Sequence, residues 1–233
     1  MRKPSFPPLF EGKDAQGGDP FRLACAAAEA GCDSGLVIYD IGTDLMRAAI
    51  VFAPDVSLQE AAVMLPLCGV GFQNALGAIG PPELPVQLGW DGTIFVNGGR
   101  CGKLSMAAAD ETPEEPDWLV IGLTVTLWPP REDTGLTPDE TALYAEGCAE
   151  VEPLALLEAW VRHTLAGINQ WIDSGTAPLH REWSGLALGL EGEITAGGQK
   201  GTYTGLDENL GLLLKTGGKT VLVPLTVHLT RPK

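Results

Sequence analysis

Residues able to do chemistry gather around position 100 of this 233-residue chain, where Arg100, Cys101, Gly102 and Lys103 stand in a row after Trp90. A cysteine between two cations is a candidate acyl-accepting nucleophile, because nearby positive charge favours the thiolate, the reactive form. Lys103 would then assist Cys101. Strand geometry argues for a quieter role. Alternate strand residues face opposite sides, so Arg100 and Gly102 should share one face and Cys101 and Lys103 the other, with Cys101 a small buried residue of a sheet. For Arg100 two readings stay open: it holds a ligand carboxylate or phosphate, or it lies exposed at a hairpin end beside the acidic turn at 110–117. Trp90 reads as core or pocket wall.

Other chemistries find less support. The five cysteines are an odd number with no C-x-x-C pair, and His163, His180 and His228 lie far apart, so no metal site is expected. His163 and His228 read as structural or surface residues, His228 on the last strand. Gly69-x-Gly71 falls inside a helical pattern, not after a strand, which excludes a dinucleotide fingerprint. The acidic stretches 110–117 and 139–152 read as solvated faces, without the close ligand spacing of a calcium loop.

The formal net charge of −15 disfavours phosphate backbones, so nucleic acid is not an expected partner. Between Leu23 and Pro130 the only basic residues are Arg47, Arg100 and Lys103, so the centre of the chain is poor in cations. No apolar run approaches the roughly 20 residues of a spanning helix, and the first 20 residues hold four prolines and no signal-like apolar core. The expected location is the cytoplasm, with reduced thiols and no membrane partner.

The elements that must position these residues follow from periodicity and punctuation. Residues 1–18 read as an irregular arm, pinned by Phe6 and Phe10. Asp19 caps a helix that Pro20 opens and Gly31 ends. Runs at 34–39 and 47–54 suggest a hairpin. Ser57 and Glu60 form a capping box for a helix to Ile79, with a kink expected at Pro66. Short β runs at 86–90, 93–96 and 100–107 read as a meander, and 118–128 as a central strand stopped by Pro129 and Pro130. A second capping box at Thr137 and Glu140 predicts a short helix to about 147, before a long amphipathic helix over 153–174. Beyond Trp183 come short strands at 193–195, 202–206, 210–216 and 220–225. The expected organisation is an arm (1–18), a core (19–185) and a small β domain (186–233).

In this order, and with Gly89-Trp90-Asp91-Gly92-Thr93, then Asn97 to Gly102, then Val120 to Thr126, the chain resembles the biotin and lipoate protein ligase superfamily over roughly residues 20–230. The resemblance implies an α+β fold: a class II synthetase-like mixed sheet flanked by helices, plus a small SH3-like C-terminal β domain. It also implies a ligand site at Trp90, Arg100, Gly102, Gly122, Thr124 and Thr126. Much of the ligase pattern is missing. Gly89 replaces the motif lysine, Gly92 the asparagine, Thr93 the aspartate and Thr126 the asparagine of the later strand, and residues 39–52 lack the glycine and arginine loop.

Adenylation develops charge that clustered cations and Mg²⁺ normally stabilise, and loss of one such donor costs about 10²- to 10³-fold in rate. The expectation is therefore a non-adenylating module for a small carboxylate or a protein partner, with no cofactor. The alternative is a divergent biotin or lipoate ligase using ATP, or an acyltransferase acting on a carrier protein through Cys101 and Lys103, helped by Lys200, Lys215 or Lys219. Exposed sheet edges leave a homodimer open as well.

Overall fold

The computed structural model describes residues 2–109, 114–129 and 137–230. Part of the acidic turn at 110–117 and Pro130 lie outside the described residues. The N-terminal arm is not irregular throughout: Glu11–Asp14 forms β1, which joins β2 in parallel. Glu158 holds the arm, accepting hydrogen bonds from Arg2 Nη1 at 2.5 Å and Ser5 N at 2.6 Å, while Phe6 and Phe10 pack on the core. Helix α1, Pro20–Glu29, starts as expected, with the Asp19 carboxylate accepting from the amides of Phe21 and Arg22.

The hairpin forms from β2, Leu36–Ile41, and β3, Leu45–Phe52. The Ser57 and Glu60 capping box is also present, but it opens only a four-residue helix, α2, Leu58–Ala61. The chain then turns before α3, Met64–Ile79. The break falls ahead of Pro66 and not at it. Pro66 thus occupies the first turn of α3, where its missing N–H costs nothing. Leu58–Ile79 is long and apolar enough to cross a membrane, which the sequence reading did not anticipate, but most of its apolar stretch is buried inside the fold.

The meander is β4 (Val86–Gly89), β5 (Thr93–Val96) and β6 (Gly99–Ala108), followed by β7, Leu119–Thr126. No helix forms over 137–147, which runs as turns. Its backbone bonds to strand ends instead: Arg100 N donates to Asp139 O, Thr141 N to Arg100 O, and Leu143 N to Thr126 O. The segment wedges between the diverging ends of β6 and β7. Then come α4, Pro153–Ser174, α5, Ala177–Leu186, and the two-residue β8, Ala187–Leu188.

These strands make one eight-stranded mixed sheet in the order β1-β2-β3-β7-β6-β5-β4-β8, so β7 is central as expected. Helices α3, α4 and α5 cover one face and bury the main apolar cluster. On the other face, Ala24, Cys25 and Ala28 of α1 meet Ile38, Ala49, Val51, Ala107 and Val120. This second cluster covers only part of the sheet.

A four-stranded antiparallel sheet follows: β9 (Glu193–Ala196), β10 (Gln199–Leu206), β11 (Leu212–Thr216) and β12 (Lys219–Val223). It is the expected small C-terminal β unit. A single 3-10 turn, Leu225–His228, ends the regular structure, so His228 is not on a strand.

Candidate functional site

The part of the sheet that α1 leaves uncovered is polar. Residues paired across neighbouring strands share a face, and the register aligns Asp40 with Arg47, Arg47 with Thr124, Thr124 with Lys103, and Lys103 with Thr93. One row thus crosses five strands. Thr126 lies on the same face, two residues beyond Thr124.

Arg100 joins this face because β6 carries a bulge. Ile94 pairs with Gly102 but Phe95 pairs with Arg100, so Cys101 is an extra residue opposite the junction. The insertion overturns the simple alternation. Arg100 shares the face of Phe95, Thr93 and Lys103, whereas Gly102 faces Ile94 and the core. Gly102 also needs its bareness: a Cβ there would stand 2.6 Å from Thr124 O.

Each basic residue of the row has a carboxylate partner. Arg47 Nη2 donates to Asp40 Oδ2 at 2.6 Å and to Gly18 O at 3.3 Å, which leaves its buried Nε without a partner among the described residues. Lys103 Nζ donates to Asp91 Oδ2 at 2.5 Å and to Thr93 Oγ1 at 3.2 Å. Burial works against the Asp91 charge, but the bonds from Lys103 and Thr93 outweigh it and hold the carboxyl below its usual range. Arg100, 55% exposed, pairs with Glu140 at 3.3 Å. It points to water, and its partner belongs to the wedge segment; the acidic turn follows the opposite end of β6.

Cys101 and Lys103 do not come together as nucleophile and helper. Cys101 is 1% exposed and packed in the main apolar cluster, with Sγ 3.6 Å from Thr126 O. Burial, reinforced by Cys148 and Glu146, pushes its thiol up to about 12, so it is protonated at neutral pH. An activated thiol needs the opposite shift. Trp90 is core, as one reading of it expected: it is 6% exposed and its Nε1 donates to Leu210 O at 2.8 Å. Gly122 lies on the uncovered side of β7, but Phe21 of α1 sits over it, and a Cβ on Gly122 would meet the Phe21 ring at 2.6 Å.

Gly89 and Gly92, on either side of Trp90, both have close neighbours. A Cβ at Gly89 would lie 2.8 Å from Asp91 Oδ1, and Gly92 combines a φ of +87° with a contact of 2.7 Å to Leu104 O. Lys200, a candidate supplementary cation, pairs with Glu193 on its own hairpin at 2.7 Å.

What the sequence reading missed is His228. Leu229 bridges Met106 in parallel, and Thr230 N donates to Met106 O at 2.8 Å, so the chain end runs alongside β6. His228 ends the 3-10 turn immediately before this bridge. The His228 ring meets the Trp90 ring edge-on with centroids 4.3 Å apart. Its Nε2 is buried and has no partner among the described residues. Nothing in the spacing around His228 signals this, because the contact depends on how the second sheet docks.

On the helical side, a cleft of about 410 Å³ lies between α3, α4 and α5, lined among others by Asn74, His163, Trp171, Asp173 and Glu182. It is separated from the polar face by the sheet itself. Among the described residues no group of three or more His, Cys, Asp or Glu is placed to hold a metal ion.

No curated protein matches this sequence. Among solved structures, a biotin protein ligase-like protein of unknown function from Silicibacter sp. TM1040 is 53% identical, with a TM-score of 0.91 over 98% of this chain and 100% of that one. The biotin protein ligase of Aquifex aeolicus shares the fold at 15% identity, with a TM-score of 0.72 over 92% of this chain and 96% of its own. That of Leishmania major, in complex with biotinyl-5-AMP, is 14% identical with a TM-score of 0.56 over 94% and 98%. The biotin/lipoate A/B protein ligase family matches residues 6–185, from the arm to the last core helix. Fold, sequence match and the placement of the motif segments on β4 to β7 agree, and the chain belongs to the biotin/lipoate A/B protein ligase family.

Proposed function

We propose that this protein is a ligase-fold module that does not adenylate and instead binds a small carboxylate, such as an acyl group or biotin, on the polar face of its sheet. One observation carries the reading: Arg47, Arg100 and Lys103, the basic residues of that face, are each engaged by a carboxylate, Asp40, Glu140 and Asp91. A cation already neutralised has little left to offer a triphosphate and a pyrophosphate leaving group. One carboxylate can still be oriented by hydrogen bonds from Lys103 and the threonine hydroxyls. The Aquifex aeolicus enzyme solved with biotin and ATP, 16% identical, makes biotin the natural first probe. Five unpaired thiols, four of them buried, suit a reducing compartment such as the cytoplasm.

The test is pyrophosphate exchange with ATP in the presence of biotin, lipoate or octanoate, beside calorimetric titration of the same three compounds without ATP. We expect no exchange above background and saturable binding of at least one compound. Robust exchange would sink the reading.

A further inference from the structure

We infer that residues 2–14 form a strap, latched by Glu158 and hinged at 15–17, that opens as one unit while the rest of the fold stays closed. The inference is independent of the ligand-binding reading above, because it concerns the edge of the first sheet and not its polar face.

Three observations converge on the arm. First, none of residues 2–18 is buried, although Phe6 and Phe10 pack against the core. A segment with so little apolar burial opposes the entropy gained on opening only weakly. Second, the arm is held at its two ends by a few polar bonds. At one end, the Arg2 guanidinium and Ser5 N donate to the Glu158 carboxylate of α4. At the other, the amides of Glu11 and Ala15 donate to Gly35 O at 3.1 Å and Tyr39 O at 2.8 Å. Third, the closed arm keeps Leu9 at a φ of +75° and Gln16 at +52°, two of the five non-glycine residues with positive φ among the described residues. That region is costly for a residue bearing a Cβ, and an open chain is free to leave it.

The hinge has a fixed far side. Gly18 O accepts from Arg47 Nη2 at 3.3 Å and Asp19 caps α1, so the motion ends at the helix. Between strap and anchor, Gly17 lies at a φ of +83° with nothing within 4 Å of a Cβ placed on it, and Gln16 N donates to Asp14 Oδ1 at 2.7 Å. Glu158, on α4, is 8% exposed and belongs to the helical layer, whereas β1 is the edge strand of the sheet, so the closed strap ties the two layers together. When it opens, the Gly35 and Tyr39 carbonyls lose their donors on that side of β2. An unpaired strand edge is a template for another extended chain. The latch therefore decides whether the sheet ends at β1 or at β2.

The test is native-state hydrogen exchange of the full chain in low urea, as wild type, Glu158→Gln and Arg2→Ala. Relative to their intrinsic rates, the Glu11 and Ala15 amides should exchange alike and about a hundredfold or more faster than the β7 amides. Their dependence on urea should be far shallower, because opening the strap exposes little surface. Glu158→Gln keeps the side-chain shape and removes the charge, and we expect it to speed both arm amides about fivefold or more. Arg2→Ala removes one donor while Ser5 N keeps its hold, so it should speed them by less. Arm amides that follow the β7 amides in rate and urea slope open only with the whole fold, and overturn the proposal. Unchanged arm exchange in Glu158→Gln overturns the latch. If either variant fails to fold, the wild-type rates and slopes decide alone.

Discussion

Gly122 shows most directly how single residues set this site. A Cβ there meets the Phe21 ring at 2.6 Å, so the glycine on β7 is the seat of an aromatic from α1. Gly122→Ala should destabilise the fold by about 1–3 kcal/mol, as overpacking does, and Phe21→Ala in the same chain should recover part of that loss. Thermal melts of the two single variants and the double variant measure the coupling; strict additivity would show that the two residues do not touch. The sequence made the scarcity of cations visible. It did not make visible how tightly Gly92 is enclosed. Gly92 sits at positive φ with Leu104 O behind it, so a side chain placed there strains the backbone as well as the packing. Nor was the facing of Arg100 legible, since one bulged residue reverses a side-chain parity that depends on counting by twos.

Elements were read best where local signals sufficed. The Asp19 cap, the Ser57 box, the hairpin, the meander and α4 all depend on neighbours within a few residues. The failures had non-local causes. Thr137 and Glu140 resembled a helix start, but the backbone of that segment is drawn into bonds with β6 and β7, and Glu140 is engaged by Arg100. β1 has four exposed residues and no apolar pattern; only its pairing with β2 makes it a strand. Contact between the C-terminal unit and the first sheet is the other non-local feature, and Trp90 is one of its polar ties, beside Thr230 on Met106 O. Trp90→Phe would leave the Leu210 carbonyl without its donor in a buried place, at a cost of about 1–3 kcal/mol. Hydrogen exchange should then show weaker protection of the β10 and β11 amides, with β3 and β7 changed least. Uniform loss across both sheets would count against a local tie.

At the scale of the whole molecule, the arm adds a pH-dependent term. The hydrogen bond from Arg2 holds the Glu158 carboxyl below its usual range, assisted by the Ser5 amide against the effect of burial. A carboxylate shifted downward by folding contributes stability above its unfolded pKa of about 4.3, and that contribution fades as pH falls through the lower folded value. Glu158→Gln should therefore be less stable than wild type in urea at pH 7, with the gap closing under acid conditions. A gap independent of pH would assign the loss to packing.

The shared core bears on how such a protein can be taken apart or recombined. A change of texture near residue 185 invites a cut there. Yet Leu210, Leu212, Leu214, Val223 and Leu225 belong to one apolar cluster with Leu88, Trp90 and Trp183, and β8 is already the edge strand of the first sheet. A chain shortened at that point would keep its ligase motifs and bare the apolar surface that the second sheet covers. Exchange of the C-terminal unit for a foreign one would have to match that surface residue by residue. The small sheet and the core are therefore one folding problem, and the seam between them limits recombination as much as any site residue does.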